Sequence, residues 1–89
     1  MSASAFAEAV IAIRAELADQ LLLDRGRAVD MLLEVWPLAD ADVRIGVERL
    51  IAAYQHVTLV EVGDMVGQLD RLVVLDAVEP DDLLLDPIG

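Results

Sequence analysis

Apolar residues in the first part of the chain recur at helical intervals. Phe6, Val10, Ile13, Leu17 and Leu21 succeed one another at steps of three or four, which puts them on one face of a helix. Ser4 is a suitable N-cap, because its hydroxyl can accept from a first-turn amide that lacks a helical partner. The spacing predicts a helix from Ser4 to about Leu23. Asp24-Arg25-Gly26-Arg27 then breaks it. Gly26 suits the left-handed geometry common just past a helix end, and Asp24 is alternatively a cap for the next helix.

A second helix is predicted to run to Trp36, with Val29, Leu32, Leu33 and Trp36 on one side. Pro37 stops it, since proline disfavours helical geometry in the residue before it. Asp40 caps a third helix, and Asp42 sits in its first turn, where the helix dipole favours an anion. Val43, Val47, Leu50, Ile51 and Tyr54 form its apolar stripe, and Arg44 and Glu48 are one helical turn apart on its exposed side.

Residues 57–75 admit two readings. Val57 to Val62 is β-branched enough for a strand. Helix is preferred, because Thr58 and Glu61 have capping-box spacing and Leu59, Val62, Val66, Leu69 and Val73 keep the helical step. Gly63 and Gly67 each weaken that helix by about 1 kcal/mol relative to alanine, and they mark a turn or a close approach of two helices. No internal repeat is evident. From Glu79 to Gly89, Pro80 and Pro87 bracket an acidic and apolar stretch that reads as a tail. The expected fold is all-α: a small bundle of about four helices over residues 1–78, then an acidic C-terminal tail over residues 79–89.

Composition adds an expectation about association. Hydrophobic residues make up 57% of the 89 residues, yet the formal net charge is -11. A chain this short buries only roughly 60% of the surface it would expose unfolded. It therefore carries more apolar surface than one small monomer hides, and a homo-oligomer or a standing protein partner is expected. The absence of cysteine excludes disulfides and thiolate sites, and the absence of lysine excludes Schiff-base chemistry.

Catalytic and metal-binding sets are not found. His56 is the one histidine and has no second ligand at metal-site spacing. The seventeen carboxylates read as caps and solvated helix faces, so no catalytic residue, metal or cofactor is assigned. Residues 58–73 have a faint helix-turn-helix cadence, but the would-be recognition segment Asp70 to Asp76 is apolar and acidic. Phosphate contact needs positive charge, so direct nucleic-acid binding is not expected. Met1 to Ala5 lacks the basic start of a secretory signal, and no apolar run reaches membrane-spanning length. A cytoplasmic location is expected.

The negative charge serves solubility or meets a basic surface on a partner. The tail either folds back through Leu83, Leu84 and Ile88 or projects as a docking peptide. In the second case Leu83, Leu84, Leu85 and Ile88 enter a partner groove while Asp81, Asp82 and Asp86 select its basic rim. These seven are the candidate partner-binding residues. The expected function is a non-catalytic protein-interaction module: an adaptor, inhibitor or small accessory subunit. The alternative is an acidic DNA mimic or anti-regulator that blocks a nucleic-acid-binding protein.

Overall fold

The structure is a computed structural model that describes residues 4–77. Helix α1, Ala5–Glu16, starts as its sequence predicts, with Ser4 Oγ accepting from the Ala7 amide at 3.0 Å. Phe6, Val10, Ile13 and Leu17 are buried along its predicted face. The helix ends earlier than its spacing suggests, however. Leu22–Asp24 is a strand, β1, and Leu21 is 86% exposed.

Leu59–Glu61 likewise forms a strand, β2, so the preferred helical reading of this segment is corrected and the Thr58–Glu61 capping box does not form. The cause is tertiary. β1 and β2 pair antiparallel, with Leu22 opposite Glu61, Leu23 opposite Val60 and Asp24 opposite Leu59. Burial alternates within each strand: Leu23 and Val60 point inward and their neighbours outward. Distant backbone partners and two buried side chains outweigh local helical spacing.

Helix α2, Arg25–Val35, begins immediately after β1. Asp24 Oδ2 accepts from the Gly26 amide at 2.9 Å, so Gly26 lies in the first turn of α2 and not beyond the end of α1. The buried residues are Ala28, Met31, Leu32 and Val35, while Leu33, expected inside, is half exposed. Trp36–Leu38 is a single 3-10 turn around Pro37. Helix α3, Ala41–Tyr54, follows Asp40, whose side chain makes no capping bond.

Arg44 and Glu48 clip that 3-10 turn to α3. Trp36 Nε1 donates to Glu48 Oε2 at 2.8 Å, and the Arg44 guanidinium lies 4.6 Å from the indole centroid, a cation–π distance. Helix α4, Val62–Ala77, buries Val62, Met65 and Leu69. The domain is thus an all-α four-helix fold with one short ribbon.

The register hides a repeat. A shift of 37 residues (23 to 60) carries the Leu22–Glu61 pair onto the Leu59–Asp24 pair. The hydrogen bonds flanking the ladder obey the same shift: Arg25 N–H to the Thr58 carbonyl at 3.2 Å, and Val62 N–H to the Leu21 carbonyl at 3.0 Å. The units α1–β1–α2 and α3–β2–α4 are therefore related by an approximate two-fold axis through Leu23 and Val60. The core follows it, because Phe6 and Val43, Val10 and Val47, Leu17 and Tyr54, and Leu32 and Leu69 are all buried counterparts. Identical residues are few, among them Leu22 and Leu59, Gly26 and Gly63, and Val29 and Val66. Burial spacing repeats more fully than residue identity, which is why no repeat is evident along the sequence.

Close helix packing occurs at a glycine, though not at the expected ones. A Cβ at Gly46 would collide with the Leu72 side chain, whereas one at Gly63 or Gly67 meets nothing within 4 Å. Gly67→Ala should therefore stabilise the fold by about 1 kcal/mol through helix propensity. Gly46→Ala should destabilise it by about 1 kcal/mol by displacing Leu72. Leu23→Ala should cost about 2–4 kcal/mol by leaving a cavity at the symmetry axis. Urea denaturation of the three variants measures all of these.

Candidate functional site

The seven tail residues expected to contact a partner, Asp81, Asp82, Leu83, Leu84, Leu85, Asp86 and Ile88, lie outside the described residues. Within residues 4–77, the distinctive surface belongs to the ribbon. Strand alternation turns Leu23 and Val60 into the core, which leaves Leu22, Asp24, Leu59 and Glu61 on the outer face. The register sets Leu22 beside Glu61 and Asp24 beside Leu59, giving a checkerboard of leucines and carboxylates. Leu22 and Leu59 are each 52% exposed, and exposed Leu21 and Val57 lie close to the strands in the chain.

A cleft of about 230 Å³ opens at the β2 end, lined by Tyr54, Val57, Leu59, Val60, Glu61 and Asp64. Tyr54 closes α3, its ring is buried, and its hydroxyl donates to Asp64 Oδ2 at 2.9 Å. This bond ties the end of α3 to the first turn of α4. Burial pushes the Tyr54 phenol well above its ordinary pKa, and the hydrogen bond to Asp64 and that residue's charge push the same way. The phenol is thus held neutral as a donor. The cleft has an apolar lining from Val57, Leu59 and Val60, with Glu61 and Asp64 supplying carboxylates.

The symmetry-related place in the first unit is built differently. There Leu17 replaces Tyr54, Arg25 replaces Val62 and Arg27 replaces Asp64. Arg27 pairs with Glu16, and Arg25 Nη1 donates to the Gln55 carbonyl at 3.1 Å. Arg25 and Arg27 follow Asp24 in the chain, but their guanidinium groups are engaged elsewhere. The corresponding positions after Glu61 are Val62 and Asp64, so the second unit has no arginine there. Among the described residues the ion pairs are Arg14 with Asp70 and Arg27 with Glu16. A second cleft, about 260 Å³, lies among Ile13, Glu16, Arg27, Asp30, Met31 and Glu34, and the Arg27–Glu16 pair is part of its lining.

Chemically, the ribbon surface offers apolar contact, carboxylates and a neutral phenol. His56 is exposed in the turn after α3. Among the described residues no group of three or more His, Asp or Glu side chains is placed to hold a metal ion. Of the loops that precede the strands, residues 17–21 and 55–58, only the first carries a carboxylate, Asp19. No described helix is long and apolar enough to cross a membrane. The signal that could have located the ribbon is the twice-used pattern of leucine, apolar residue, acid, any residue, glycine, at 22–26 and 59–63.

Compared with known proteins, the chain matches no family model, no curated protein and no solved structure.

Tyr54 is the sole tyrosine, and the chain has no lysine or cysteine, so its phenol is the one side chain that titrates near pH 10. Its folded-state pKa is raised, so its contribution to stability is fully present below about pH 10 and disappears as pH rises through the folded value. Urea midpoints measured across the alkaline range should fall in the parent chain. Tyr54→Phe should lose that dependence and cost about 1 kcal/mol at neutral pH, because exposed Asp64 can be rehydrated.

Proposed function

We propose that the chain is a non-catalytic protein-interaction module, an adaptor, inhibitor or small accessory subunit, that meets its partner through apolar side chains set among carboxylates. One observation carries this reading: the solvent face of the ribbon holds half-exposed leucines at two symmetry-equivalent places. The core already takes Leu23 and Val60 from the same strands. Polar residues at 22 and 59 would keep the inner face intact and reduce the exposed apolar area, so contact is the more economical account of leucine there.

Homo-oligomer formation is part of the proposal. Ile45, Val74 and Leu75 are exposed on helix segments remote from the ribbon, and shared helix faces would cover them. A cytoplasmic setting fits a chain without cysteine. The partition of charge favours an adaptor over a DNA mimic. Among the described residues Glu16 and Asp70 are paired with arginines, which interrupts the anionic surface there.

Two measurements test the reading. Immobilised full-length chain, offered a lysate of its own organism, should retain its partner as salt rises, because apolar burial is little screened; a mimic would release steeply. Light scattering should find more than one copy per particle, and a strict monomer at high concentration would remove the shared-face component. Removal of residues 79–89 should leave the helical circular-dichroism signal unchanged, since the buried core of the described residues runs from Phe6 to Leu69. Loss of capture on that deletion would assign the contact to the tail.

A further inference from the structure

We infer that the outer face of the β1–β2 ribbon, together with the cleft between Tyr54 and Asp64, docks a protein segment that presents arginine or lysine next to a large apolar side chain. This rests on the interaction-module reading and names its surface and the chemistry of its partner.

Leu22 and Leu59 supply the apolar part of the face, and about half of each is open to solvent. The charged half comes from the molecule's own internal comparison. Two units share one backbone plan, yet the first sets Arg25 and Arg27 beside Asp24, while the second sets Val62 and Asp64 beside Glu61. Arg25 is turned to the Gln55 carbonyl and Arg27 to Glu16. The cleft lining holds two carboxylates, Glu61 and Asp64, and no arginine. The nearby Arg25 guanidinium is engaged by the Gln55 carbonyl in the adjoining turn, and neither carboxylate is in an ion pair.

The cleft geometry suits the same occupant. A basic side chain has an apolar stem and a charged head. The stem finds Val57, Leu59 and Val60, and the head reaches Glu61 and Asp64. Tyr54 already donates to one oxygen of Asp64, which leaves acceptor capacity on that carboxylate for a second donor.

Other occupants fit less well. A second copy laid face to face would set Asp24 and Glu61 against the same carboxylates of its mate, in a chain of net charge -11. Nucleic acid and anionic lipid meet the same repulsion.

The test uses the full chain and two fluorescein-labelled synthetic peptides. One carries leucine and arginine two residues apart, to match an extended segment, and the other four apart, to match a helix. Anisotropy titrations at low and moderate salt give affinities, and amide chemical-shift changes locate the contact. At least one peptide should bind, with shifts concentrated in residues 21–24 and 57–64. The double variant L22S/L59S should weaken binding about tenfold or more, and Glu61→Gln should weaken it several-fold, by about three to ten times. Glu34→Gln, which removes the same unit of charge from the other cleft, should change it less than about twofold. Circular dichroism checks that each variant is folded.

Equal effects of Glu61→Gln and Glu34→Gln would reduce the binding to general charge attraction and overturn the inference. Shifts confined to another face would overturn it while leaving the interaction-module reading standing. If neither peptide binds and L22S/L59S dissolves an oligomer seen by light scattering, the face belongs to a second copy and the inference fails. If neither peptide binds a monomeric chain, the inference fails as well. The lysate capture then decides separately whether the broader reading survives.

Discussion

The buried Leu23–Val60 pair is the constraint on which the fold turns. A two-stranded ribbon is marginal by itself, and each strand here is only three residues long. What holds it is that both central side chains enter the helical core, at 3% and 2% exposure. The ribbon in turn launches two helices: α2 begins directly after β1 and α4 directly after β2. Strand register therefore sets the starting points of half the bundle. A slip of one residue would turn one strand over, exposing Leu23 and bringing Leu22 and Asp24 inward, or exposing Val60 and bringing Leu59 and Glu61 inward; either buries a carboxylate without a partner. Register is strongly specified for that reason.

The pseudo-two-fold axis separates what the fold needs from what the surface does. Positions that are buried in both units carry apolar residues in both, as with Phe6 and Val43 or Leu32 and Leu69. Packing constrains them, and it constrains them twice. Surface positions that flank the ribbon diverge instead, although Leu22 and Leu59, and the acids Asp24 and Glu61, are kept on the ribbon itself. Arg27 corresponds to Asp64, and Glu16 to Ala53. The first unit closes its inter-helix surface with an exposed ion pair, worth little to stability. The second leaves a carboxylate held by a buried phenol. Equal backbones with opposite charge point to a difference of surface role, since the fold demands neither arrangement.

Much of the fold was legible in the residues, and the limits of that legibility have physical causes. Ser4 and the α1 stripe as far as Leu17 act locally, through a cap and a repeating face, and behave as their chemistry predicts. Helix α2 does end ahead of Pro37, but Trp36 before it keeps helical dihedrals and opens a 3-10 turn. Leu21 and Leu59 illustrate the failure. Each continues a helical spacing, but both lie at the ribbon, whose partner strand is distant in sequence. A three-residue strand is too short to show period-two alternation against a background rich in leucine and valine. Gly46 was invisible for a similar reason, because its role depends on Leu72 arriving from another helix. The candidate surface was illegible for the same cause as the strands: Leu22 and Leu59 become neighbours of acids only through the register. Tyr54 was expected in the core and is there, but its bond to Asp64 required the turn that follows α3.

The coexistence of high hydrophobicity and high negative charge acquires a specific meaning from this arrangement. A face with several exposed leucines invites association with any apolar surface. Carboxylates interleaved at one-residue spacing raise the cost of most such encounters, because a partner without basic groups must desolvate Asp24 and Glu61 for no return. Repulsion between copies does the same for stacking the chain on itself. If the face docks a partner as proposed, the leucines supply contact energy and the acids decide which surfaces can collect it. On the proposed reading, charge acts as a filter on partners more than as a source of affinity, which would join the two features of the composition in one role.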